Sequence, residues 1–417
     1  DFAYAWKRVL DPATGSRNAN VLYDIKGARP YHEGLVPDPD GLGVQALDDL
    51  TLAVELGTPT GYLLPLLSFG ALYPVPRHVV ERLGPAWSEP ENIATNGPFR
   101  LESWQRGRSM VLVRNAQYHG ACSGNVQRVE LSLGFLGDWP SLFEAYKADR
   151  LDIVGLNVQN PTEVDRVRQR LASDYVTQPG RLTRYLVFDV TRTPFHDLRV
   201  RLALALALDR EALIDATSGS YHQPATGGLV PPGMPGHSAG IAQPFEPDRA
   251  QRFLAQAGYP GGRGFPEVEL VAPPGFRTEI PYLRAQWREN LAVEIHCRVL
   301  PWAEFVDRLR DSPSHLVLSA WGPDYPDPDT YLRVAVQRHT TWRDEAYFSL
   351  VERARRALTL AERMELYGQA ELRLVEQVPL LPLSYARLHL LVKPWVRRYL
   401  SAVTGTVFWK DAIIEPH

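Results

Sequence analysis

Apolar and polar residues alternate around short turns in the first half of the chain. The segments "GVQALDDLTLAVELGTPT" (43–60) and "GPFRLESWQRGRSMVLVRNAQYHG" (97–120) each contain two alternating runs on either side of a polar turn. A period of two is the pattern of a half-buried strand, so each segment predicts a β-hairpin. The run "TRYLVFDV" (183–190) is almost continuously apolar and predicts a more deeply buried strand.

Helical and strand patterns alternate in the second half. The segment "DLRVRLALALALDREALIDAT" (197–217) predicts one long helix with Asp197 as its N-cap. Helical segments then alternate with short apolar runs, of which the last is "HLVLSAW" (315–321). Two more helices and the apolar strand "PLLPLSYARLHLLV" (379–392) follow. This alternation is typical of an α/β layer with a partly parallel sheet.

Length and composition narrow the class of protein. The chain has 417 residues, which is too long for one ordinary hydrophobic core and predicts two or more domains. The net charge of −3 gives no electrostatic reason to expect nucleic-acid binding. No stretch reaches the roughly 20 apolar residues of a membrane helix, since the most apolar one, residues 61–76, is interrupted by three prolines.

The beginning of the sequence and its cysteines carry less information. The chain opens on "DFAYAWKRVLDP" without a methionine, as if inside an amphipathic helix. We therefore expect an N-terminal part, and any export signal within it, to be missing. Cys122 and Cys297 are too few for a disulfide framework and lack the spacing of metal ligands.

Motifs for catalysis or cofactor binding are not found in the sequence. There is no H-E-x-x-H helix, no G-x-S-x-G elbow and no complete phosphate loop, so we expect neither a metal nor another cofactor. The segment "SAWGPDYPDPDTYL" (319–332) remains, because it places aspartates directly after an apolar strand. Burying an unpaired carboxylate costs several kcal/mol, so such aspartates need partners.

The three aspartates of this segment have different interpretations. Asp327 and Asp329 precede "TYLRVAV", where they would cap a helix and contribute about 1 kcal/mol or less. Asp324 lies three residues beyond Trp321, at the carboxyl end of a strand, where α/β sheets bind ligands. It could equally be a turn aspartate that accepts hydrogen bonds from nearby backbone N–H groups.

Several segments together resemble one protein family. The sequence resembles the extracytoplasmic solute-binding proteins of peptide-type ABC importers, known as family 5 or cluster C. The resemblance runs in order along essentially the whole chain. It rests on the segments "DFAYAWKRVLDP", "IATNGPFRLESWQRGRSMVLVRNAQYHG", "RTPFHDLRVRLALALALDREALI", "LVPPGMPGH", "WGPDYPDP" and "LVKPWV".

This resemblance implies an α/β, two-lobed fold like that of type II periplasmic binding proteins, with an extra subdomain. Residues 1–90 would form part of the extra subdomain. Residues 91–186 and 386–417 would form lobe one, and residues 187–385 would form lobe two. The two apolar strands near 185–190 and 383–388 would cross between the lobes as a hinge.

The resemblance also implies a ligand-binding site. In oligopeptide binders the aspartate of a W-x-x-D-Y motif accepts the α-ammonium group of the peptide, and that position is Asp324 here. Trp321 and Trp302 match walls of side-chain pockets, although a tryptophan at the start of a helix is often simply part of the core. The other implied ligand-binding positions are Tyr185 and Tyr385, which match cleft tyrosines, and Gly322, which replaces a cysteine found in some members.

The sequence departs from the family at positions that would receive the ligand carboxylate. Basic residues of oligopeptide binders correspond to Phe276 and Leu318, which are apolar. Arg308 or Arg310 could take over this role, or the ligand could be shorter, blocked at its C-terminus or not a peptide. Leu182 replaces the cysteine that would pair with the one at position 322, so that disulfide is not expected.

The resemblance implies a receptor and not an enzyme. The expected protein is extracytoplasmic, either periplasmic or lipid-anchored at the cell surface, and monomeric. It would capture a peptide or peptide-like cationic solute and deliver it to the permease subunits of an ABC importer, without contacting nucleic acid. Two alternatives remain open. One is a ligand-sensing module fused to a regulatory domain, and the other is a binder of a nickel chelate, an opine, a sugar or heme.

Overall fold

Two units make up the chain in the computed structural model, which describes residues 1–133, 139–156, 161–311, 314–399 and 408–417. The first unit comprises Asp1–Asn157, Ser173–Val176 and Leu390–His417, and the second comprises Val158–Ala172 and Thr177–His389. The chain therefore changes unit near residues 157, 172, 176 and 389, and the last two changes lie within two apolar strands. The predicted lobe limits at 186 and 386, and the hinge role of these strands, stay predictions.

The first 156 residues are rich in short elements and hairpins. They contain α1 (Phe2–Leu10), α2 (Ala28–His32), β1 (Val44–Ala46), β2 (Leu52–Val54), α3 (Leu63–Leu66), α4 (Arg77–Leu83), β3 (Phe99–Gln105), β4 (Ser109–Arg114), β5 (Arg128–Ser132), α5 (Trp139–Lys147) and β6 (Ile153–Gly155). β1 pairs antiparallel with β2, and β3, β4 and β5 form an antiparallel sheet in that order. Both hairpins predicted from the alternating pattern are confirmed.

Helices and strands alternate in the remainder of the chain. The elements are α6 (Pro161–Arg170), β7 (Tyr175–Phe188), α7 (Leu198–Leu206), α8 (Arg210–Thr217), β8 (His222–Pro224), α9 (Pro247–Gln256), β9 (Glu269–Ala272), α10 (Glu279–Leu291), β10 (His296–Val299), α11 (Trp302–Asp311), β11 (Leu316–Trp321), a π-helical segment (Thr330–Ala335), α12 (Val336–His339), α13 (Glu345–Arg356), α14 (Leu360–Gln377), β12 (Leu380–Val392), β13 (Val396–Arg397) and β14 (Ile413–Ile414).

The main sheet of the second unit has the strand order β10-β9-β11-β7-β12, and β8 pairs with β12. β10 and β11 both run parallel to β9, whereas β11 runs antiparallel to β7. The parallel pairs arise because α10 and α11 each connect one strand to the next by a crossover. The predicted partly parallel sheet is confirmed.

Alternation along the central strands separates an apolar face from a polar one. Leu186, Leu316 and Leu318 are fully buried in a core built with α7, α8, α9 and α10. Since successive side chains point to opposite faces, Tyr185 and Ser319 lie on the other face. They are directly opposite each other in the register of β7 and β11. The candidate site described below lies on this second face and at the end of β11.

The predicted helix over 197–217 is interrupted. Asp197 caps α7 as predicted, because its carboxylate accepts the N–H of Arg199 at 2.8 Å. The helix ends at Leu206, however, and Asp209 caps a second helix by accepting the N–H of Ala212 at 2.9 Å. The prediction of one continuous helix was wrong because a second capping aspartate lies within the apolar run.

Candidate functional site

The end of β11 brings together three of the residues singled out in the sequence. The indole N–H of Trp321 donates to Oγ1 of Thr330 at 3.1 Å, and the backbone N–H of Asp324 donates to the same oxygen at 3.3 Å. The ring of His339 lies edge-on to Trp321 with centroids 5.4 Å apart. The hydroxyl of Tyr185 is 2.5 Å from Nδ1 of His339. Trp321, Asp324 and Tyr185 therefore belong to one cluster, which is completed by Thr330 and His339.

The Asp324 carboxylate is half-buried and lacks a direct partner among the residues that the structure describes. Within the described part of the chain, neither oxygen accepts a hydrogen bond or pairs with a cation; only the backbone N–H of this residue is engaged. Burial raises the pKa of Asp324, and the charge of Arg338 acts in the opposite direction. The hydrogen bond that a turn aspartate would accept is thus not observed. The carboxylate is placed to receive a cation or a hydrogen-bond donor.

The aromatic and histidine side chains beside Asp324 carry no charge at neutral pH. Burial lowers the pKa of His339 to about 4, and Arg338 contributes in the same direction. Burial likewise raises the pKa of Tyr185 far above its ordinary value. The cluster that contains Asp324 therefore combines neutral hydrogen-bonding groups with an indole ring, and the charge that acts on its carboxylate is that of Arg338. An indole ring suits an ammonium group with apolar substituents.

A cavity of about 140 Å³ adjoins the cluster on the polar face of the sheet. Ser319, Arg338, His339 and Thr341 line it together with apolar side chains of β7, β11 and α11. Asp189 also lines it, but its carboxylate accepts hydrogen bonds from the hydroxyl of Thr341 at 2.9 Å and from Thr191. The cavity thus combines hydrogen-bonding groups with an apolar wall.

The remaining predicted site residues have no described contact with Asp324. Tyr385 is buried on β12, where its hydroxyl donates to the carbonyl of Gly228 at 2.7 Å. Trp302 begins α11 with 67% of its surface exposed, so the interpretation as a core residue is wrong. Gly322 lies next to Leu182: a Cβ at 322 would be 3.6 Å from Cδ1 of that leucine. The two positions at which the resemblance implied a missing cysteine pair are therefore adjacent in the structure.

The positions expected to bind a carboxylate are apolar or already paired. Phe276 and Leu318 are both buried. Arg184 lies over the Phe276 ring at 3.7 Å, but it is paired with Glu279 at 2.5 Å. Arg308 pairs with Glu269 at 2.9 Å. The side chain of Arg310, the other alternative from the sequence, lies outside the described part of the molecule.

The helix-cap interpretation of Asp327 and Asp329 needs correction. Asp329 is fully buried and makes no capping hydrogen bond, because its carboxylate is bound by the guanidinium of Arg333 and by the hydroxyl of Tyr325, both at 2.5 Å. Burial alone would raise the pKa of Asp329, but Arg333 holds it below its ordinary value. Asp327 accepts the N–H of Asp329, yet it also pairs with buried Arg363 at 2.7 Å. Both aspartates therefore belong to an internal ionic network.

Thr330, Arg338 and His339 were not identified from the sequence. They lie within one irregular stretch, in which a π-helical segment runs into α12. A π-helical turn changes which side chains share a face, so the spacing of these residues gives no reliable signal. The weak signal available was the proximity of "QRH" (337–339) to the W-x-x-D-Y motif along the chain.

The described residues contain neither a metal-binding cluster nor a membrane-spanning helix. Among them, no three His, Cys, Asp or Glu side chains are grouped so as to hold a metal ion. Cys122 and Cys297 are both free thiols. A search of the same residues finds no helix with the length and apolar character needed to cross a membrane.

The fold resembles that of two-lobed peptide-binding proteins, which have the type II periplasmic binding fold. The murein tripeptide-binding protein MppA of Escherichia coli matches with a TM-score of 0.80 at 26% identity, over 100% of this chain and 83% of that one. A periplasmic oligopeptide-binding protein of Borrelia burgdorferi also gives a TM-score of 0.80, at 23% identity, over 99% of this chain and 83% of that one. The predicted fold class is confirmed.

The amino-acid sequence identifies the protein family to which the chain belongs. The family described as "Bacterial extracellular solute-binding proteins, family 5 Middle" matches residues 1–340. The chain belongs to family 5 of the bacterial extracellular solute-binding proteins, as its motifs predicted.

Curated relatives differ in the ligands that their names give. The periplasmic oligopeptide-binding protein OppA of Salmonella typhimurium is 29% identical, over 100% of this chain and 78% of the relative. A probable deoxycholate-binding periplasmic protein of Escherichia coli is also 29% identical, over 100% of this chain and 79% of the relative. The family is thus clear, whereas the chemistry of the ligand must be inferred from the residues of the site.

Proposed function

We propose that this protein is the solute receptor of an ABC importer, and that it captures a peptide or peptide-like cationic solute and delivers it to the permease. Membership of family 5 supports the receptor role. Peptide capture is supported by the names of the relatives OppA and MppA, which bind oligopeptides and a murein tripeptide. The receptor works outside the cytoplasm as a monomer and carries out no chemical step on its solute.

The observation that carries the proposal is the unsatisfied carboxylate of Asp324. It is half-buried, and burial raises its pKa. A buried carboxylate is costly without a partner, and a ligand ammonium group supplies both the opposite charge and hydrogen-bond donors. The half-buried indole of Trp321, held by its bond to Thr330, offers an apolar and π-electron surface for the first residue of the ligand.

Native mass spectrometry of the protein purified from its own host tests this proposal. We expect a co-purified species with a free primary amine and at least one amide bond, identified by fragmentation after release from the protein. The Asp324→Asn variant, purified in parallel, should carry much less of it. A matched control is Asp248→Asn, because Asp248 is exposed on α9. A bile acid or another solute without an amine in the wild-type spectrum would contradict the proposal.

A further inference from the structure

One buried hydroxyl group, that of Thr330, holds two of the candidate site residues at the same time. Thr330 is fully buried. Its Oγ1 accepts the indole N–H of Trp321 at 3.1 Å and the backbone N–H of Asp324 at 3.3 Å. A threonine hydroxyl has two lone pairs, so these two hydrogen bonds use the full acceptor capacity of the oxygen. Trp321 and Asp324 are therefore fixed relative to each other through a single atom.

The residues on either side of Thr330 are anchored in the protein interior. The carboxylate of Asp329 is paired with Arg333 at 2.5 Å, and the hydroxyl of Tyr331 donates to the carbonyl of Arg181. Asp329 and Tyr331 are both fully buried. The backbone that carries Thr330 is therefore held on both sides, and a β-branched side chain has few rotamers to choose from. Thr330 is thus a fixed support for the groups that bond to it.

The backbone around Asp324 depends on this support. Among the described residues, the bond to Thr330 is the one hydrogen bond that Asp324 makes. Gly322 and Pro323 link Asp324 to the end of β11. A glycine permits a wide range of backbone angles, and a proline has no N–H with which to bond a neighbour. Loss of the bond to Thr330 would therefore leave the direction of the Asp324 carboxylate poorly defined.

We propose that Thr330 is the positioning residue of the ammonium site, because it directs the carboxylate of Asp324 and the ring of Trp321 toward the same bound amine. This inference rests on the proposed function. A binding group that is already held in place before the ligand arrives does not have to be ordered on binding, and affinity is higher for that reason. In this role Thr330 acts through the two residues that it holds.

The hydroxyl group, and not the size of the side chain, carries this role. Thr330→Val keeps the shape of the side chain but leaves the N–H groups of Trp321 and Asp324 without their acceptor. We expect it to weaken the binding of an amine ligand about 10-fold. Thr330→Ser keeps the oxygen and should restore most of the affinity. The matched control is Thr217→Val, which also removes a buried hydroxyl, one that donates to the carbonyl of Leu213 on α8 at 2.6 Å.

Calorimetric titration with di-, tri-, tetra- and pentaalanine and their N-acetylated forms tests the role in binding. For the peptide that wild type binds most tightly, acetylation should weaken binding roughly 100-fold. In Thr330→Val this loss on acetylation should be about 10-fold smaller, because the free amine binds more weakly whereas the acetylated peptide is hardly affected. In Thr217→Val the loss should equal that of wild type. A merely structural role of Thr330 would weaken both forms of the peptide by the same factor.

The NMR signal of the Trp321 indole N–H provides a readout that needs no ligand. Comparison with Trp321→Phe assigns this signal in the wild-type spectrum. Thr330→Val should shift the signal and speed its hydrogen exchange with water, because the indole N–H loses its acceptor. Thr330→Ser and Thr217→Val should leave the exchange close to that of wild type. An unchanged indole signal in Thr330→Val would overturn the inference.

The outcomes separate this inference from the proposed function. If acetylation weakens binding to wild type and to Thr330→Val by the same factor, the ammonium site stands and the role of Thr330 is wrong. If acetylation has no effect on wild type, the proposed function itself fails, and the positioning role of Thr330 fails with it.

Discussion

Asp324, Asp327 and Asp329 are close in sequence but differ in what surrounds their carboxylates. Asp327 and Asp329 are deeply buried and paired with arginines at 2.7 Å and 2.5 Å. Asp324 is less buried, yet it is the one without an ion pair or an accepted hydrogen bond among the described residues. The protein therefore neutralises two of these charges itself. The third requires a partner from solution.

Glu371 is a buried acid whose protonation links stability to pH. It is fully buried on α14, its carboxylate accepts the N–H of Val230 at 2.7 Å, and burial raises its pKa to about 7 from its ordinary value of 4.5. Because the folded pKa is the higher one, its stabilising contribution is complete below pH 4.5 and is lost as pH rises to about 7. The loss amounts to roughly 3 kcal/mol.

Urea unfolding of wild type and Glu371→Gln at pH 5 and pH 8 measures this effect. The glutamine does not titrate, so its free energy of unfolding should fall less than that of wild type between these pH values. His222 and His339 have lowered pKa values, and their effect on the free energy of unfolding runs in the opposite direction. They make the folded protein less stable as pH falls below about 6.5. The informative quantity is therefore the difference between the two proteins. Equal pH dependence in both would contradict the raised pKa of Glu371.

At the scale of secondary structure, regular patterns predicted the elements that frame the site. The apolar run 315–321 is β11, and the alternating segments are hairpins. In these elements the period of the apolar residues matches the pattern of burial, because one face of each strand packs against the protein interior. The break between α7 and α8 was missed because a capping aspartate at 209 lies inside an otherwise helical pattern.

The site itself could be predicted only in part. Trp321 and Asp324 stood out because polar residues directly after a buried strand have few structural explanations. The bonds of Thr330 and the position of His339 depend on the π-helical path of residues 330–335. The arginine partners of Asp327 and Asp329 include Arg363, 36 residues further along the chain. Such long-range pairs leave no pattern in a single sequence.

The ionic network of Asp327 and Asp329 ties the start of the π-helical segment to α14. Asp329 also accepts a hydrogen bond from the hydroxyl of Tyr367 at 3.3 Å, and Asp327 pairs with Arg363. Removing one charge of such a buried pair leaves the other uncompensated, which costs about 3 to 5 kcal/mol. Asp327→Asn and Asp329→Asn should therefore each be strongly destabilising, beyond the 1 kcal/mol expected of a helix cap.

Chemical denaturation of the three asparagine variants checks this prediction. Asp324→Asn serves as the matched control, because its carboxylate has no partner to lose among the described residues. It should unfold at the same urea concentration as wild type or at a higher one. A loss below about 1 kcal/mol in both other variants would restore the helix-cap interpretation. Marked destabilisation of Asp324→Asn would mean that Asp324 has a structural role.

At the scale of the whole molecule, the family match indicates the class of protein, and the site indicates the kind of solute. The family match over residues 1–340 and the shared fold establish a solute-binding protein. The relatives in that family are named for oligopeptides, a murein peptide and deoxycholate, so membership leaves the solute open. The unpaired carboxylate of Asp324 favours a cationic solute. The central claim is therefore that Asp324 holds the amine of the solute.

Calorimetric titration of wild type, Asp324→Asn and the control Asp248→Asn tests that claim most directly. The titrants are the solute identified by mass spectrometry and the same solute acetylated at its amine. We expect Asp324→Asn, and acetylation of the solute with wild type, each to weaken binding roughly 100-fold or more, because either change removes one member of a desolvated charge pair. The two changes combined should cost little more than one. Wild-type affinity in Asp324→Asn, or equal binding of the acetylated solute to wild type, would contradict the account.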